Sequence, residues 1–159
     1  MKIAISSDQI GNDLRDEVID HLQNSGHEVV SFGSASIDDI FPFYLAVDAV
    51  CDLVLKKEAD FGILICGSGL GMSFGANRNK GIRAALCESS YSVKLARQIN
   101  DANVLCIGAW FTGARLAMDM VDQFVNTKWR EGLSEELSEL FRVNLNKWNH
   151  EHDGLPLEE

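Results

Sequence analysis

The sequence predicts an α/β fold built on one five-stranded parallel sheet with helices on both of its faces. Short apolar runs alternate with longer amphipathic stretches along the 159 residues, which is typical of βαβ units. Four of the five short runs are nearly continuous in apolar residues, as strands covered on both faces require. A chain of this length suits one core, so we expect a single domain over residues 1–159.

Each predicted element follows from its local pattern. Gly26 and Gly81 stand where helices should end, and Ser134 followed by Glu135 and Glu136 is typical of the start of a last helix. The strands are predicted at residues 2–6, 28–32, 61–66, 83–87 and 104–108. The helices are predicted at residues 12–24, 43–57, 70–77, 90–99, 114–127 and from 134 to about 150.

The charge balance limits the classes of partner. Lys and Arg number 14 and Asp and Glu number 24, which gives a net charge of −10. Such a surface repels polyanions, so nucleic acid and anionic membranes are not expected as partners. Polar residues interrupt the apolar run at residues 3–5 too early for a signal peptide or a membrane helix. We therefore expect a cytoplasmic protein.

The C-terminal part differs from the rest in composition. Residues 130–159 carry eight acidic and three basic residues, which is half of the net charge. We divide the domain into a core over residues 1–127 and a C-terminal helix with an acidic tail over residues 128–159. We expect a solvated helix face followed by a frayed end.

The clearest chemical pattern is the loop Cys66-Gly67-Ser68-Gly69-Leu70-Gly71, between a predicted buried strand and a helix. Parallel sheets bind ligands at the carboxyl ends of their strands. The N–H groups of such a loop, with a helix behind them, can stabilise a phosphate or an enediolate. The same surroundings favour the thiolate of Cys66, which can act as a base. In the alternative interpretation Cys66 is a small buried hydrophobic residue and the glycines only form a tight turn. Three glycines beside a strand-end thiol favour the functional interpretation.

Other chemistries have weaker support. The loop has neither the GxGxxG spacing of dinucleotide sites nor the GK[ST] of phosphate-binding loops. No metal site is expected, because the histidines show no ligand spacing and are predicted to lie at the surface. These histidines are His21, His27, His150 and His152. The four cysteines lack CxxC spacing, so reduced thiols are expected.

One stretch is basic against the acidic background. It contains Arg78, Lys80, Arg83, Lys94 and Arg97 against the single acid Glu88. Because it surrounds the strand that follows the glycine loop, it could hold a small anionic substrate near Cys66. For Lys94 and Arg97 we favour ordinary exposed helix positions.

Longer motifs surround the glycine loop. They are residues 2–8 (KIAISSD), 42–44 (PFY), 63–73 (ILICGSGLGMS), 81–86 (GIRAAL) and 100–105 (NDANVL). With these motifs, residues 1–126 resemble the family of ribose-5-phosphate isomerase B and the galactose-6-phosphate isomerase subunits. The resemblance implies an aldose–ketose isomerase that needs no metal or other cofactor and uses a cis-enediol intermediate. It also implies a three-layer αβα sandwich with a Rossmann-like sheet, and a homodimer or homotetramer whose active sites are shared between chains.

The resemblance also implies roles for individual residues. Cys66 matches the base that moves the proton between adjacent carbons, and Ser68 replaces a usual threonine that assists at the hydroxyls. The catalytic candidates are Cys66, Ser68, Asp8 and Asn100. The substrate-binding candidates are Gln9, Tyr44, Gly67, Gly69, Leu70, Gly71 and Arg78.

The sequence departs from the family pattern at four places. Gln9 and Ile99 replace usual histidines, Trp110 replaces a usual phosphate-binding arginine, and residues 131–134 replace a Gly-Gly-Arg-His stretch. The resemblance therefore retains proton transfer, whereas ring opening and the phosphate contacts are altered. We expect a small anionic sugar that is already open-chain, such as a tetrose 4-phosphate or a 4-deoxy-5-keto uronate. In the alternative interpretation Gln9, Asn100 or an arginine of a partner subunit replaces the missing groups, and ribose 5-phosphate remains a substrate.

Two other functions stay open at this point. The chain could be a catalytically silent, sugar-phosphate-binding subunit of a hetero-oligomeric isomerase, although a binding module has no use for a thiol base. It could also be a flavodoxin-like nucleotide binder, which would carry a cofactor that absorbs light or co-purifies.

Overall fold

A computed structural model of the chain describes residues 1–156. These residues form five strands, six α-helices and one short π-helix. In chain order they are β1 (Lys2–Ser7), α1 (Asn12–Asn24), β2 (Glu28–Gly33), α2 (Phe43–Leu55), β3 (Phe61–Cys66), α3 (Leu70–Ala76), β4 (Ala84–Leu86), α4 (Ser90–Asn100), β5 (Val104–Gly108), α5 (Ala114–Asn126), α6 (Glu135–Trp148) and the π-helix Asn149–Asp153. Glu158 and Glu159 of the predicted acidic tail lie outside the described residues.

The strands form one parallel sheet in the order β2-β1-β3-β5-β4. Helices α1, α4 and α5 bury apolar side chains such as Val18 and Phe124 against one face. Helices α2 and α3 cover the other face with side chains such as Val50 and Met72. The predicted αβα sandwich is therefore confirmed, and the apolar strands have the two-sided burial that their composition required.

The strand order creates a crevice at the carboxyl edge of the sheet. The chain leaves β1 and β5 toward the face of α1 and α5, but it leaves the strand between them, β3, toward the face of α3. Loops that diverge in this way from neighbouring parallel strands leave room for a ligand between them. The loops that follow β1, β3 and β5 are therefore the ones that can line a site.

Several predicted bounds shift by a few residues. β4 spans Ala84–Leu86 rather than residues 83–87, because the N–H of Arg83 donates to the side-chain oxygen of Asn103 at 2.7 Å. Helix α2 ends at Leu55 instead of residue 57, and Lys57 has a positive φ of 57°. The predicted cap of the last helix is confirmed, since the Ser134 hydroxyl accepts from the N–H of Leu137 at 3.3 Å.

The prediction of an exposed Arg97 is wrong. Its Nη1 donates to Asp101 Oδ1 at 2.8 Å and to the Ala102 carbonyl at 2.7 Å, and its guanidinium lies 4.5 Å from the centre of the Phe61 ring. Arg83 donates to the other oxygen of Asp101 at 2.6 Å. Arg97 is buried because Asp101 ends α4 with φ = 47°, which brings the carboxylate back against the helix. These two arginines stabilise the edge at which β5 begins.

The C-terminal part is more ordered than a frayed tail. Asp153 accepts a hydrogen bond from the N–H of Gly81 at 3.1 Å, and the ring of Trp148 lies 4.0 Å from that of His152. None of the residues of α6, all of which are described, is buried. A cavity of about 790 Å³ lies between this part and the β4 side of the sheet. The expectation of a frayed end is therefore wrong as far as Asp153.

Two of the four histidines are only partly exposed, in contrast to the predicted surface positions. His21 is partly buried, and its Nε2 lies 2.7 Å from Asp122 Oδ1. His27 is also partly buried, whereas His150 and His152 are exposed. Among residues 1–156 no helix is both long and apolar enough to cross a membrane. The cytoplasmic location stays a prediction.

Candidate active site

Cys66 lies at the end of β3, in the crevice at the carboxyl edge. Its side chain is buried, with 6% of the residue exposed. The N–H of Gly69 donates to its sulfur at 3.1 Å, and the N–H of Leu70 donates to the Ser68 hydroxyl at 3.3 Å. The loop therefore closes on the thiol and aims a backbone donor at it.

Glycine is required at two positions of this loop. Gly69 has φ = 73°, and a Cβ there would lie 2.5 Å from Leu86 Cδ1 and 3.0 Å from the Ile107 carbonyl carbon. A Cβ on Gly67 would lie 2.8 Å from the indole of Trp110. At Gly71 the nearest atom would be Phe43 Cδ2 at 3.7 Å, an ordinary contact. Gly67 and Gly69 thus permit a close approach that a side chain would prevent.

The loop after β1 packs directly against the end of β3. The N–H of Asp8 donates to the Ile65 carbonyl at 3.3 Å, and a Cβ on Gly11 would lie 2.7 Å from the same oxygen. One carboxylate oxygen of Asp8 accepts from the N–H groups of Ile10 and Gly11 at 3.0 and 3.1 Å. Asp8 is therefore held next to Cys66 by its own turn.

Four polar atoms in or near this turn are buried without a hydrogen-bond partner among the described residues. They are Ser6 Oγ, Ser7 Oγ, Gln9 Oε1 and Asn12 Oδ1. A buried polar atom without a partner typically costs about 1–3 kcal/mol, so such atoms are candidates to bind the hydroxyls of a ligand. Sequence reasoning found Gln9 but missed Ser6, Ser7 and Asn12. The signal for Asn12 was a polar residue at the first position of a helix that follows a buried strand.

Tyr44 and Arg78 lie together beside the loop. With Gly71 and Phe74 they line a cavity of about 430 Å³ between α2 and α3. Gly71 belongs to both the glycine loop and this cavity. Tyr44 and Arg78 therefore lie next to the Cys66 crevice, on its α2 side. Tyr44 is exposed.

The structure does not bring Asn100 to Cys66 within one chain. The carbonyl of Asn103 accepts from the N–H of Gly62, at the amino end of β3, whereas Cys66 ends that strand. Cys66 lies four residues after Gly62, a rise of about 13 Å along the strand. Ile99 and Asn100 line the cavity beneath α6 instead. The expectation that Asn100 joins the site is therefore not met inside a single chain.

The other three thiols, those of Cys51, Cys87 and Cys106, are buried. Burial, followed by the carboxylates of Asp48 and Asp52, raises the pKa of Cys51 from 9.0 to about 12. Burial also raises the pKa of Cys87 and, to well above its usual value, that of Cys106. These three thiols stay protonated at neutral pH, which makes them unsuitable as bases.

The arrangement suits proton abstraction beside a carbonyl group. It combines a thiol, backbone N–H donors where negative charge would develop, and the neighbouring carboxylate of Asp8. Among residues 1–156, no three His, Cys, Asp or Glu side chains cluster in a way that could hold a metal.

The chain is similar to known sugar isomerases over most of its length. A family model described as Ribose/Galactose Isomerase matches residues 3–139. The 4-deoxy-4-sulfo-D-erythrose isomerase of Clostridium sp. (strain MSTE9) is 36% identical over 142 residues, covering 89% of each chain. Ribose-5-phosphate isomerase B of Escherichia coli (strain K12) is 39% identical over 85% of this chain and 90% of its own. The structure of Clostridium thermocellum ribose-5-phosphate isomerase B superposes with a TM-score of 0.87 at 35% identity, covering 97% of this chain and 99% of that one. The chain therefore belongs to the ribose/galactose isomerase family of aldose–ketose isomerases.

Proposed function

We propose that the protein interconverts the aldose and ketose forms of a small, open-chain anionic sugar, with Cys66 as the base. The observation that carries this proposal is the hydrogen bond from the Gly69 N–H to the Cys66 sulfur at 3.1 Å. A donor aimed at the sulfur stabilises negative charge there. A thiol in a crevice of polar groups is then equipped for proton transfer.

The proposed reaction moves one proton between adjacent carbons and one between their oxygens, and it changes no overall oxidation state. The Cys66 thiolate removes the proton from the hydroxyl-bearing carbon next to the carbonyl, and the electron pair moves to the carbonyl oxygen. Loop N–H groups from Gly67 to Gly71, other than those of Gly69 and Leu70 that donate to Cys66 and Ser68, stabilise the resulting cis-enediolate. Cys66 returns the proton to the former carbonyl carbon, while Ser68 and Asp8 exchange protons with the two oxygens.

An open-chain substrate fits the departures from the family pattern. Ile99 and Trp110 supply neither an acid for a ring oxygen nor a charge for a phosphate. One relative is named for a 4-deoxy-4-sulfo-tetrose, a sugar that lacks the 4-hydroxyl needed to close a five-membered ring. The same chemistry applies to a tetrose 4-phosphate, in which that oxygen is blocked.

The proposal includes a second copy of the chain. Asn100 lies at the amino edge of the sheet, so only another subunit can bring such a residue to the Cys66 crevice. Several aromatic side chains near the crevice are also exposed, and exposed apolar patches often mark protein interfaces. They are Phe43, Tyr44, Phe74, Trp110 and Phe111. We infer a homodimer, or a homotetramer made of two such dimers, with shared sites.

Solvent exchange tests the proposed function. The protein is incubated in deuterated water with a panel of aldose and ketose phosphates, sulfonates and uronates, and NMR follows the carbon next to each carbonyl. We expect deuterium at that carbon in one open-chain sugar, together with conversion to its isomer, and neither with Cys66→Ala. If a sugar binds but exchanges no deuterium, the silent-subunit alternative holds and the proposal is wrong.

A further inference from the structure

Trp110 is a large aromatic residue left exposed at the carboxyl edge of the sheet. It lies in the turn after β5, and 68% of it is accessible to solvent. Its N–H donates to the Gly67 carbonyl at 2.9 Å, and the N–H of Ala109 donates to the Cys66 carbonyl at 2.8 Å. The turn after β5 is therefore joined to the glycine loop by backbone hydrogen bonds, which fix the position of Trp110 relative to Cys66.

The indole covers the residue that follows Cys66. Its atoms Cε2, Cζ2 and Cδ2 lie 2.8 to 3.0 Å from the position that a Cβ on Gly67 would take. The neighbouring Phe111 is also exposed, but its ring faces Gly108, where the corresponding distance is 3.1 Å. Trp110 is thus the aromatic residue of this turn that packs on the glycine loop.

The strand order gives the crevice a definite width. β1, β3 and β5 are neighbours, so the Asp8 turn and the Trp110 turn are about 10 Å apart, two strand spacings, with Cys66 between them. The partnerless oxygens of Gln9 and Asn12 provide hydrogen-bond acceptors on the β1 side. On the β5 side, the indole of Trp110 packs against the glycine loop.

We propose that Trp110 is a specificity-determining residue whose indole closes the β5 side of the crevice and limits the sugar to four carbons. This inference rests on the proposed isomerase function. A rigid apolar wall rejects an additional carbon with its hydroxyl by steric overlap and by leaving that hydroxyl without a partner. Trp110 contributes to selection by chain length and has no part in proton transfer.

The test compares two ketoses that both stay open-chain. D-Ribulose 5-phosphate cannot close a five-membered ring because its O5 is esterified, and D-erythrulose 4-phosphate cannot because it has no fifth carbon. Ring opening therefore does not influence the comparison. Deuterium exchange at C1 gives kcat/KM for each sugar with the parent protein and with Trp110→Ala, Trp110→Phe and Phe111→Ala. Circular dichroism and thermal unfolding verify the fold of each variant, and sedimentation verifies that its oligomeric state equals that of the parent, because Trp110 and Phe111 belong to the exposed aromatic patch.

We expect the five-carbon to four-carbon ratio of kcat/KM to be low in the parent and to rise roughly 10- to 200-fold in Trp110→Ala, the range typical for one carbon unit in a fitted pocket. Trp110→Phe keeps a ring and should stay within a few-fold of the parent, and Phe111→Ala should leave the ratio unchanged. The inference is overturned if the parent exchanges the four-carbon ketose but the ratio does not rise in Trp110→Ala. It is also overturned if Phe111→Ala raises the ratio equally. If the parent exchanges neither these ketoses nor any sugar of the panel, the proposed function itself fails.

Discussion

The backbone N–H of Gly69 donates to the sulfur of Cys66 across 3.1 Å. This contact depends on the conformation of Gly69, which has φ = 73° and no room for a Cβ between Leu86 and the backbone of Ile107. In this conformation the amide points back at the last residue of β3. One glycine therefore orients a donor toward the candidate base and also sets the course of the loop into α3.

Gly69→Ala tests this relationship. The added methyl group meets backbone atoms and adopts an unfavourable φ, so the loop must shift and the N–H must move away from the sulfur. We expect kcat to fall about 10²- to 10³-fold, as for the loss of an oxyanion-type donor, and the free energy of unfolding to fall by about 1–3 kcal/mol. Steady-state kinetics and urea denaturation measure the two effects.

Gly113→Ala is the matched control. A Cβ at this position would find no atom within 4 Å, and its φ of −75° suits any residue. Activity should be unchanged. A Gly69→Ala protein that retained parental kcat would contradict the role given to the Gly69 N–H.

Cys66→Ala should remove activity and leave the fold intact. A general base typically contributes about 10² to 10⁴ in rate, so kcat should fall by at least that range. Alanine at Cys51, Cys87 or Cys106 should instead lower the unfolding midpoint and retain kcat, because these thiols pack inside the protein. A folded but inactive variant at one of these three positions would show that this cysteine, and not Cys66, is the base.

The stability of the protein should fall in alkaline solution, partly through Cys51. Its pKa is about 12 in the folded chain and 9.0 ordinarily. Between these values the unfolded chain loses a proton that the folded chain keeps, so the free energy of unfolding decreases as the pH rises above about 9. Well below pH 9 the Cys51 thiol is protonated in both the folded and the unfolded chain, so it does not change the free energy of unfolding with pH.

Urea denaturation between pH 7 and 10.5 measures this effect. Cys51→Ala should show a shallower decrease above pH 9 than the parent. Some slope should remain, since burial also raises the pKa values of Cys87 and Cys106. Identical slopes in variant and parent would show that the Cys51 thiol does not resist ionisation in the folded protein.

The fold and the position of the glycine loop follow from local sequence patterns. Continuous apolar runs predict strands buried on both faces, and the residues after such strands meet at one edge, which places Asp8 and Cys66 together. The distance between Asn100 and Cys66 could also have been predicted. A helix that connects two parallel strands starts at their carboxyl edge and ends at their amino edge, so a residue at its end cannot join a strand-end site in the same chain.

Other features depend on contacts between distant elements. Arg97 is buried because Phe61 from β3, Phe124 from α5 and the turned-back Asp101 surround it. The stacking of Trp110 on Gly67 likewise requires β5 to lie beside β3. The helical pattern of the sequence does not distinguish Arg97 from Lys94, so it predicts both as exposed. The prediction for Arg97 was wrong for this reason.

Arg97→Ala should destabilise the protein strongly. It removes a buried guanidinium that donates to Asp101 and to the Ala102 carbonyl, and it leaves these acceptors without that donor. Breaking a buried pair typically costs about 3–5 kcal/mol, and the lower end fits here because Asp101 is partly exposed. Lys94→Ala, an exposed position on the same helix, should change stability by less than about 0.5 kcal/mol. Equal effects of the two substitutions would show that Arg97 contributes little to the folded state.

Mixed oligomers test whether active sites are shared between chains. Asn100 lies toward the amino edge of the sheet and Cys66 at its carboxyl edge, so a site that uses both residues must take them from two subunits. Cys66→Ala and Asn100→Ala should each have low activity when pure. When the two chains are co-expressed and associate at random, half of the dimers are mixed. In each mixed dimer one of the two sites has both residues intact, so we expect about a quarter of parental activity in the mixture.

Purification with a different tag on each chain sharpens this measurement. The doubly tagged fraction contains only mixed dimers and should reach about half of parental activity, whereas a doubly tagged Cys66→Ala dimer should remain inactive. Recovery in the mixed dimer requires that the intact Cys66 of one chain works with the intact Asn100 of the other. A mixed dimer no more active than its parents would mean that Cys66 and Asn100 do not meet in one site. Full activity of pure Asn100→Ala would mean that the reaction does not need this side chain.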